Sequence, residues 1–141
     1  MATAIMRAVQ ISVILTVLNE GEGVRAVLDS LCAQSMPLAE VVVADGGSRD
    51  ETVAIMESYA GRLPLRVVIA PGANISQGRN AAIRAAAGDV LAVTDAGVRC
   101  EPDWLARLAA PFAEPGVMAV AGFFRSAPQT VLEVAMGATV L

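Results

Sequence analysis

GDVLAVTDAG, residues 88–97, is an apolar run that stops abruptly on an acid and a glycine. Valine and leucine on both faces predict a buried strand of about eight residues in a parallel sheet, whose two faces are covered by helices. Such sheets bind ligands outside the carboxyl ends of their strands, so a carboxylate at that point, Asp95, is the first candidate for the chemistry.

Working outward, the same punctuation recurs. ISVILTV, residues 11–17, closes on Asn19-Glu20; VVVA, residues 41–44, closes on Asp45-Gly46-Gly47; LRVVIA, residues 65–70, closes on Pro71-Gly72. A fifth strand is expected at VMAVAGFF, residues 117–124. Between the first two, Val24, Val27, Leu28 and Leu31 fall on one helical face, with Arg25, Asp29 and Ser30 facing away and Pro37 beyond. Ser48 followed by Glu51 has capping-box spacing and predicts a second helix to about Ala60, with Gly61 as its stop. Ser76 is expected to cap a third helix ending at Gly88, and Pro102 to sit in the first turn of a fourth that runs through Ala113, apolar at Trp104, Leu105 and Leu108. Residues 130–141 read as helix-like or extended. Strands thus recur about every 25 to 29 residues with helices between them, which predicts an α/β fold with a mostly parallel sheet and flanking helices. No linker divides residues 1–141, so one domain is expected.

Composition narrows the function. Ten basic residues against fourteen acidic ones give net charge -4 with no basic run, which argues against a nucleic-acid partner. One Trp, one Tyr and three Phe are too few for a stacking platform. The absence of histidine removes Ser/His and Cys/His catalysis and the commonest transition-metal ligand, leaving acid-base work to carboxylates. Cys32 and Cys100 lack CxxC spacing and read as reduced thiols in a cytoplasmic protein. Arg7 with the apolar run after it is better explained by a buried first strand than by a signal sequence, and no run reaches the roughly 18 apolar residues of a membrane span.

Three strand ends, residues 16–20, 45–48 and 94–97, share one edge of the expected sheet, and the glycines among them permit close backbone approach to a nucleotide or phosphate. LNEGEG after the first strand lacks the GxGxxG of a dinucleotide-binding dehydrogenase. A flavodoxin-like or receiver domain shares the rhythm but would place its acids differently and has no need of Arg79-Asn80 at the start of the third helix.

Four stretches together carry a resemblance. ISVILTVLNEGEGVRAVLDSLCAQ, VVVADGGSRDETVAI, ISQGRNAAIRAAAGDVLAVTDAG and PDWLARL are similar, in order and spacing, to the N-terminal, donor-binding half of a family 2 glycosyltransferase with the GT-A fold. The resemblance covers essentially the whole chain and implies a nucleotide-diphospho-sugar donor and an acceptor whose identity is unknown. It implies that Thr16, Asn19 and Glu20 line the nucleoside pocket, that Asp45 with Gly46 faces the base or ribose, and that Arg79 reaches the diphosphate. It further implies that Asp95 lies beside the diphosphate and a divalent cation, Mg²⁺ or Mn²⁺, as the surviving member of an Asp-x-Asp turn.

The sequence departs from the family at three points: Gly97 stands where the second Asp of that turn would be, Leu18 where an aromatic residue often precedes Asn-Glu, and Gly46 where a second acid would follow Asp45. In family members that invert the anomeric centre, the base is a carboxylate of the acceptor half, beyond the matched region, so no catalytic base is assigned. The chain is accordingly expected to be a truncated glycosyltransferase, able to bind donor but not to transfer the sugar alone. The alternative expectation is a non-catalytic nucleotide-binding or oligomerising module, self-associating through the apolar tail VLEVAMGATVL, residues 131–141.

Overall fold

The computed structural model describes residues 9–128 together with 130, 131, 133 and 134. Four strands, β1 (Ile11–Val17), β2 (Glu40–Asp45), β3 (Leu65–Ile69) and β4 (Val90–Val93), form one sheet in the order β3-β2-β1-β4. Every pairing is parallel, with Val17 opposite Asp45, Asp45 opposite Ile69, and Ile14 opposite Val93. The helices are α1 (Val24–Cys32), α2 (Thr52–Glu57), α3 (Ile75–Ala85) and α4 (Trp104–Ala109).

Alternation along β1 divides the core. Ile11, Val13, Leu15 and Val17 face one layer with Val41 and Val43, against Val24, Val27, Leu28 and Leu31 of α1, Ile55 and Met56 of α2, and Leu105 of α4. Ile14 faces the other way with Val42 and Ala44, against Ala82 of α3. Full burial of such aliphatic side chains contributes about 1.5–3 kcal/mol each before chain entropy is subtracted. The α1 and α2 connections move the chain outward from β1 to β3; α3, on the opposite face, returns it past β1 to β4. That reversal places a topological switch point between β1 and β4.

Several expected boundaries shift. β4 has four residues and is hydrogen-bonded only to β1 among the described strands, so Leu91 and Val93 are exposed and Ala92 alone is fully buried: a half-covered edge, where an eight-residue buried strand was expected. Helix α2 begins at Thr52 and ends at Glu57. Ser48 does not cap it, because its hydroxyl donates to the Asp45 carboxylate at 2.5 Å; Asp50 takes the Thr52 N–H instead, at 3.0 Å. Asn74, not Ser76, caps α3 in a reciprocal pair with Gln77. That helix ends at Ala85, before Gly88, whose missing side chain serves another purpose: a Cβ there would lie 2.5 Å from Ser12 Oγ and 2.7 Å from Ser12 N. Helix α4 starts two residues past Pro102, its Leu105 N–H accepted by Gln34 Oε1 at 2.9 Å, and Ala110–Ala113 continue as a tighter 3₁₀ turn.

The chain divides into two compact units, Met1–Ala110 and Pro111–Leu141. All four strands belong to the first. In the second, residues 117–124 form no strand: they pair with no other strand among the described residues, and Met118, Phe123 and Phe124 are exposed. An apolar, β-prone sequence has no ladder to join without a neighbour to satisfy its N–H and C=O groups. Thr130 begins a helical turn, exchanging 3.2 Å hydrogen bonds with Glu133, and the rest of the expected tail element lies outside the described residues.

Candidate functional site

The carboxyl ends of β1 and β4 and the first turns of α3 meet at the switch point. Arg79 of α3 donates from Nη2 to Asp95 Oδ1 at 3.1 Å, and both side chains keep solvent access, 38% and 57% exposed. Two residues identified separately from sequence are therefore direct partners. Gly78 makes the approach of α3 close, since a Cβ on it would sit 3.2 Å from Thr16 Cγ2 and 3.7 Å from the Ala44 methyl. Thr16 thus lies under the helix turn that carries Arg79.

The turn bearing Asp95 is anchored on both sides. Thr94 N–H donates to Ile14 C=O at 3.1 Å, continuing the pairing with β1. Five residues on, Cys100 N–H donates to Ser30 Oγ of α1 at 3.0 Å, and that hydroxyl donates in turn to Val27 C=O at 2.7 Å. Burial pushes the Cys100 thiol above its ordinary pKa, so it is an inert part of this anchor. Neither Ser30 nor Cys100 is visible as a site residue in the sequence. Ser30 sits on the face assigned to solvent, and only the path of the loop after β4 brings the two together.

The neighbouring loops are joined through one hydroxyl. Ser48 Oγ donates to Asp45 Oδ1 at 2.5 Å and accepts from Asn19 N–H at 2.8 Å. Asp45 is buried, its Oδ2 accepting from the N–H groups of Gly47 and Ser48 at 3.0 and 2.9 Å, so the carboxylate folds the β2–α2 loop around itself. Asn19 adopts a left-handed backbone, φ 53°, which an asparagine tolerates better than most residues, and its Oδ1 accepts from Arg49 N–H at 2.9 Å. Gly46 lies where three loops cross: its N–H donates to Val17 C=O and its C=O accepts from Gly72 N–H, both at 2.9 Å. Glu20 is exposed, and its C=O accepts from Gly23 N–H at 3.0 Å in the Gly21–Gly23 turn that leads into α1. Of the sequence-identified residues, Arg79, Asp95 and Thr16 gather at the β1–β4 side, while Asn19, Asp45 and Gly46 build the loop wall beside it. A surface cavity of about 190 Å³ lined by Leu31, Cys32, Met36 and Leu63 lies at the other end of the sheet, away from this chemistry.

The residues at this edge do not fit a protein-built divalent-cation site. Mg²⁺ and Mn²⁺ seek about six hard oxygen ligands. The turn offers one carboxylate, Asp95, already paired with a guanidinium, and Gly97 follows where a second would stand. Asp45 spends its oxygens on three internal donors. Among the described residues no group of three or more Asp, Glu, Cys or His is placed to hold a metal.

An all-parallel sheet whose strand order reverses beside β1, with glycine-bearing loops and a guanidinium–carboxylate pair at its carboxyl edge, defines a doubly wound α/β domain. Within that class the assignment is specific: residues 12–137 match the profile of Glycosyl transferase family 2, and the chain belongs to that family. Over 109 residues it is 32% identical to the validoxylamine A glucosyltransferase of Streptomyces hygroscopicus subsp. jinggangensis, covering 74% of this chain and 26% of that enzyme. Among solved structures it is similar to S. aureus TarS 1-349 in complex with UDP-GlcNAc, with 30% identity and TM-score 0.67 over 72% of this chain and 30% of that one. It is also similar to the mannosyltransferase PcManGT from Pyrobaculum calidifontis in complex with GDP-Man and Mn²⁺, with 30% identity and TM-score 0.72 over 77% of this chain and 34% of that one. These neighbours give the fold as GT-A, and the chain spans about a quarter of the length of the curated relatives it matches.

Proposed function

We propose that this chain is the donor-binding portion of a glycosyltransferase: it seats a nucleotide-diphospho-sugar across the carboxyl edge of the sheet and presents the anomeric carbon to an acceptor hydroxyl. The observation that carries the reading is the Arg79–Asp95 pair at the β1–β4 switch point, a guanidinium fork and a carboxylate open to solvent where such sheets bind ligands. Arg79 can offer two parallel N–H donors to diphosphate oxygens, the geometry that suits guanidinium to phosphate. The loop wall built by Asn19, Asp45, Gly46 and Ser48, with Thr16 and Glu20 beside it, receives base and ribose. Asp95 is the single carboxylate that this edge could offer to a Mg²⁺ or Mn²⁺ ion arriving with the donor.

The acceptor pocket and the base that deprotonates the acceptor hydroxyl are contributed from outside these 141 residues, which the quarter-length match to the relatives supports. The free thiols Cys32 and Cys100 support a reducing, cytoplasmic setting. No helix among the described residues is long and apolar enough to cross a membrane. Titration calorimetry of the chain with UDP, GDP and their sugars in the presence of Mn²⁺ tests the reading: saturable binding of at least one is expected, and silence toward all of them overturns it. The exposed side chains of Met118, Phe123 and Phe124 support the alternative of an oligomerising module, for which sedimentation would show a concentration-dependent dimer with no nucleotide binding.

A further inference from the structure

We propose that this domain holds the donor's diphosphate on Arg79 without requiring a divalent cation, and that the Arg79–Asp95 ion pair is the donor-free form of that contact. The inference rests on the reading of the carboxyl edge as a nucleoside-diphosphate site and goes beyond it by saying what supplies the positive charge there.

The disagreement between the donor set and a cation is the starting point. One carboxylate stands at the turn, its Oδ1 accepts from Arg79 at 3.1 Å, and the neighbouring acid, Asp45, is buried and saturated by its own loop. A diphosphate still needs its charge met, and among the described residues a cation held in place at this edge by an ion pair is the Arg79 guanidinium. The side chain is partly exposed and bound to a partner that is more exposed still, so it can exchange Asp95 for phosphate without uncovering a buried charge. Its place is also well defined, because Gly78 seats α3 directly on Thr16 and the Asn74–Gln77 pair fixes the start of the helix. Release of Arg79 leaves Asp95 in water, where an ionised carboxylate is stable, so the exchange has no stranded partner.

Gly97 supplies an independent line. A Cβ added there would meet no heavy atom within 4 Å, and Gly97 is not among the glycines with positive φ. Neither sterics nor backbone conformation demands glycine at this position. The single-carboxylate turn is therefore a property of the sequence that the fold does not impose, and Gly97→Asp would add the missing ligand without disturbing the loop.

The test is calorimetric titration of the 141-residue chain with UDP and with GDP, each in EDTA and in Mn²⁺, for the wild type and for Arg79→Met, Asp95→Asn and Gly97→Asp, with circular dichroism confirming that the variants fold. Expected are dissociation constants within about threefold of each other in EDTA and Mn²⁺ for the wild type, and at least tenfold weakening by Arg79→Met in both buffers. Asp95→Asn, by freeing the guanidinium, should bind at least as tightly as wild type in EDTA. Gly97→Asp should become at least fivefold tighter in Mn²⁺ than in EDTA and give an electron-paramagnetic-resonance signal of bound Mn²⁺. Wild-type binding that appears only with Mn²⁺, or binding undiminished in Arg79→Met, overturns the inference while leaving the nucleotide site standing. Silence toward both nucleotides in both buffers overturns the site reading and this inference with it.

Discussion

The two ends of α3 hold the same pair of chemical groups in opposite settings. At its start, Arg79 meets Asp95 in the open. At its finish, Arg66 of β3 reaches Glu40 Oε2 at 3.1 Å and also donates to the Ala85 carbonyl, but here the carboxylate is only 18% exposed. Glu40 Oε1 accepts further from Ser12 Oγ at 2.6 Å and from Ala87 N–H at 2.6 Å, and Ser12 Oγ accepts from Gly88 N–H at 2.8 Å. That network ties β1, β2, β3 and the α3–β4 connection together at the amino edge of the sheet. Its members are satisfied by one another, whereas the exposed pair at the carboxyl edge has solvent on both sides. A pair whose carboxylate is sheltered and fully bonded fixes the scaffold; one whose carboxylate stands in solvent contributes about 0–1 kcal/mol and is free to change partners.

The largest effect should come from breaking the sheltered end. Gly88→Ala forces a Cβ to within 2.9 Å of Gln10 O and closer still to Ser12 N and Oγ, atoms of backbone and of a buried hydroxyl that cannot step aside. A loss of about 3 kcal/mol in urea unfolding is expected, at the upper end of overpacking costs. Next, Glu40→Leu takes the acceptor from the buried Ser12 hydroxyl and from the Ala87 N–H and should cost about 2 kcal/mol. It also carries a pH signature. The Ser12 hydroxyl, then the Ala87 N–H, hold the Glu40 carboxyl below its ordinary pKa. Stability from this group is therefore present above the usual glutamate value of about 4.3 and lost as pH falls through the lower folded value. Unfolding followed from pH 6 down to pH 3 should show a flatter acid limb in Glu40→Leu than in wild type.

The smallest change in stability belongs to the open end. Gly78→Ala gains about 1 kcal/mol of helix propensity and loses a similar amount where the new methyl presses Thr16 Cγ2, so the net shift in unfolding free energy should stay within about 0.5 kcal/mol. Nucleotide affinity should still fall a few-fold, because the turn carrying Arg79 is pushed off β1. An affinity unchanged in Gly78→Ala would mean that the seating of α3 does not position Arg79.

Much of this architecture is legible in the chain. The first strand and first helix announce themselves by period alone, β-branched on both faces for residues 11–17 and four apolar positions on one face from Val24 to Leu31, and the structure places them there. The acids and glycines after the strands mark the functional edge, since turn chemistry concentrates where a parallel sheet opens. The caps were less legible. Ser48 and Ser76 have plausible spacing, yet a hydroxyl goes to the strongest acceptor nearby, and only the folded β2–α2 loop puts Asp45 beside Ser48. The fifth strand failed for a related reason, because strand propensity states what residues 117–124 tolerate and not whether a neighbour exists.

By itself the sequence determined the alternation of strands and helices, the family, the candidate residues and the replacement of a second acid by Gly97, because these are properties of pattern and residue type. Only the tertiary structure decided that Arg79 and Asp95, sixteen positions apart, are partners, that Ser12 and Glu40 lock the far edge, and that β4 pairs with β1 alone among the described strands. Those facts depend on which strand lies beside β1 and how closely α3 is seated on it, and both are set by packing between segments distant in the chain.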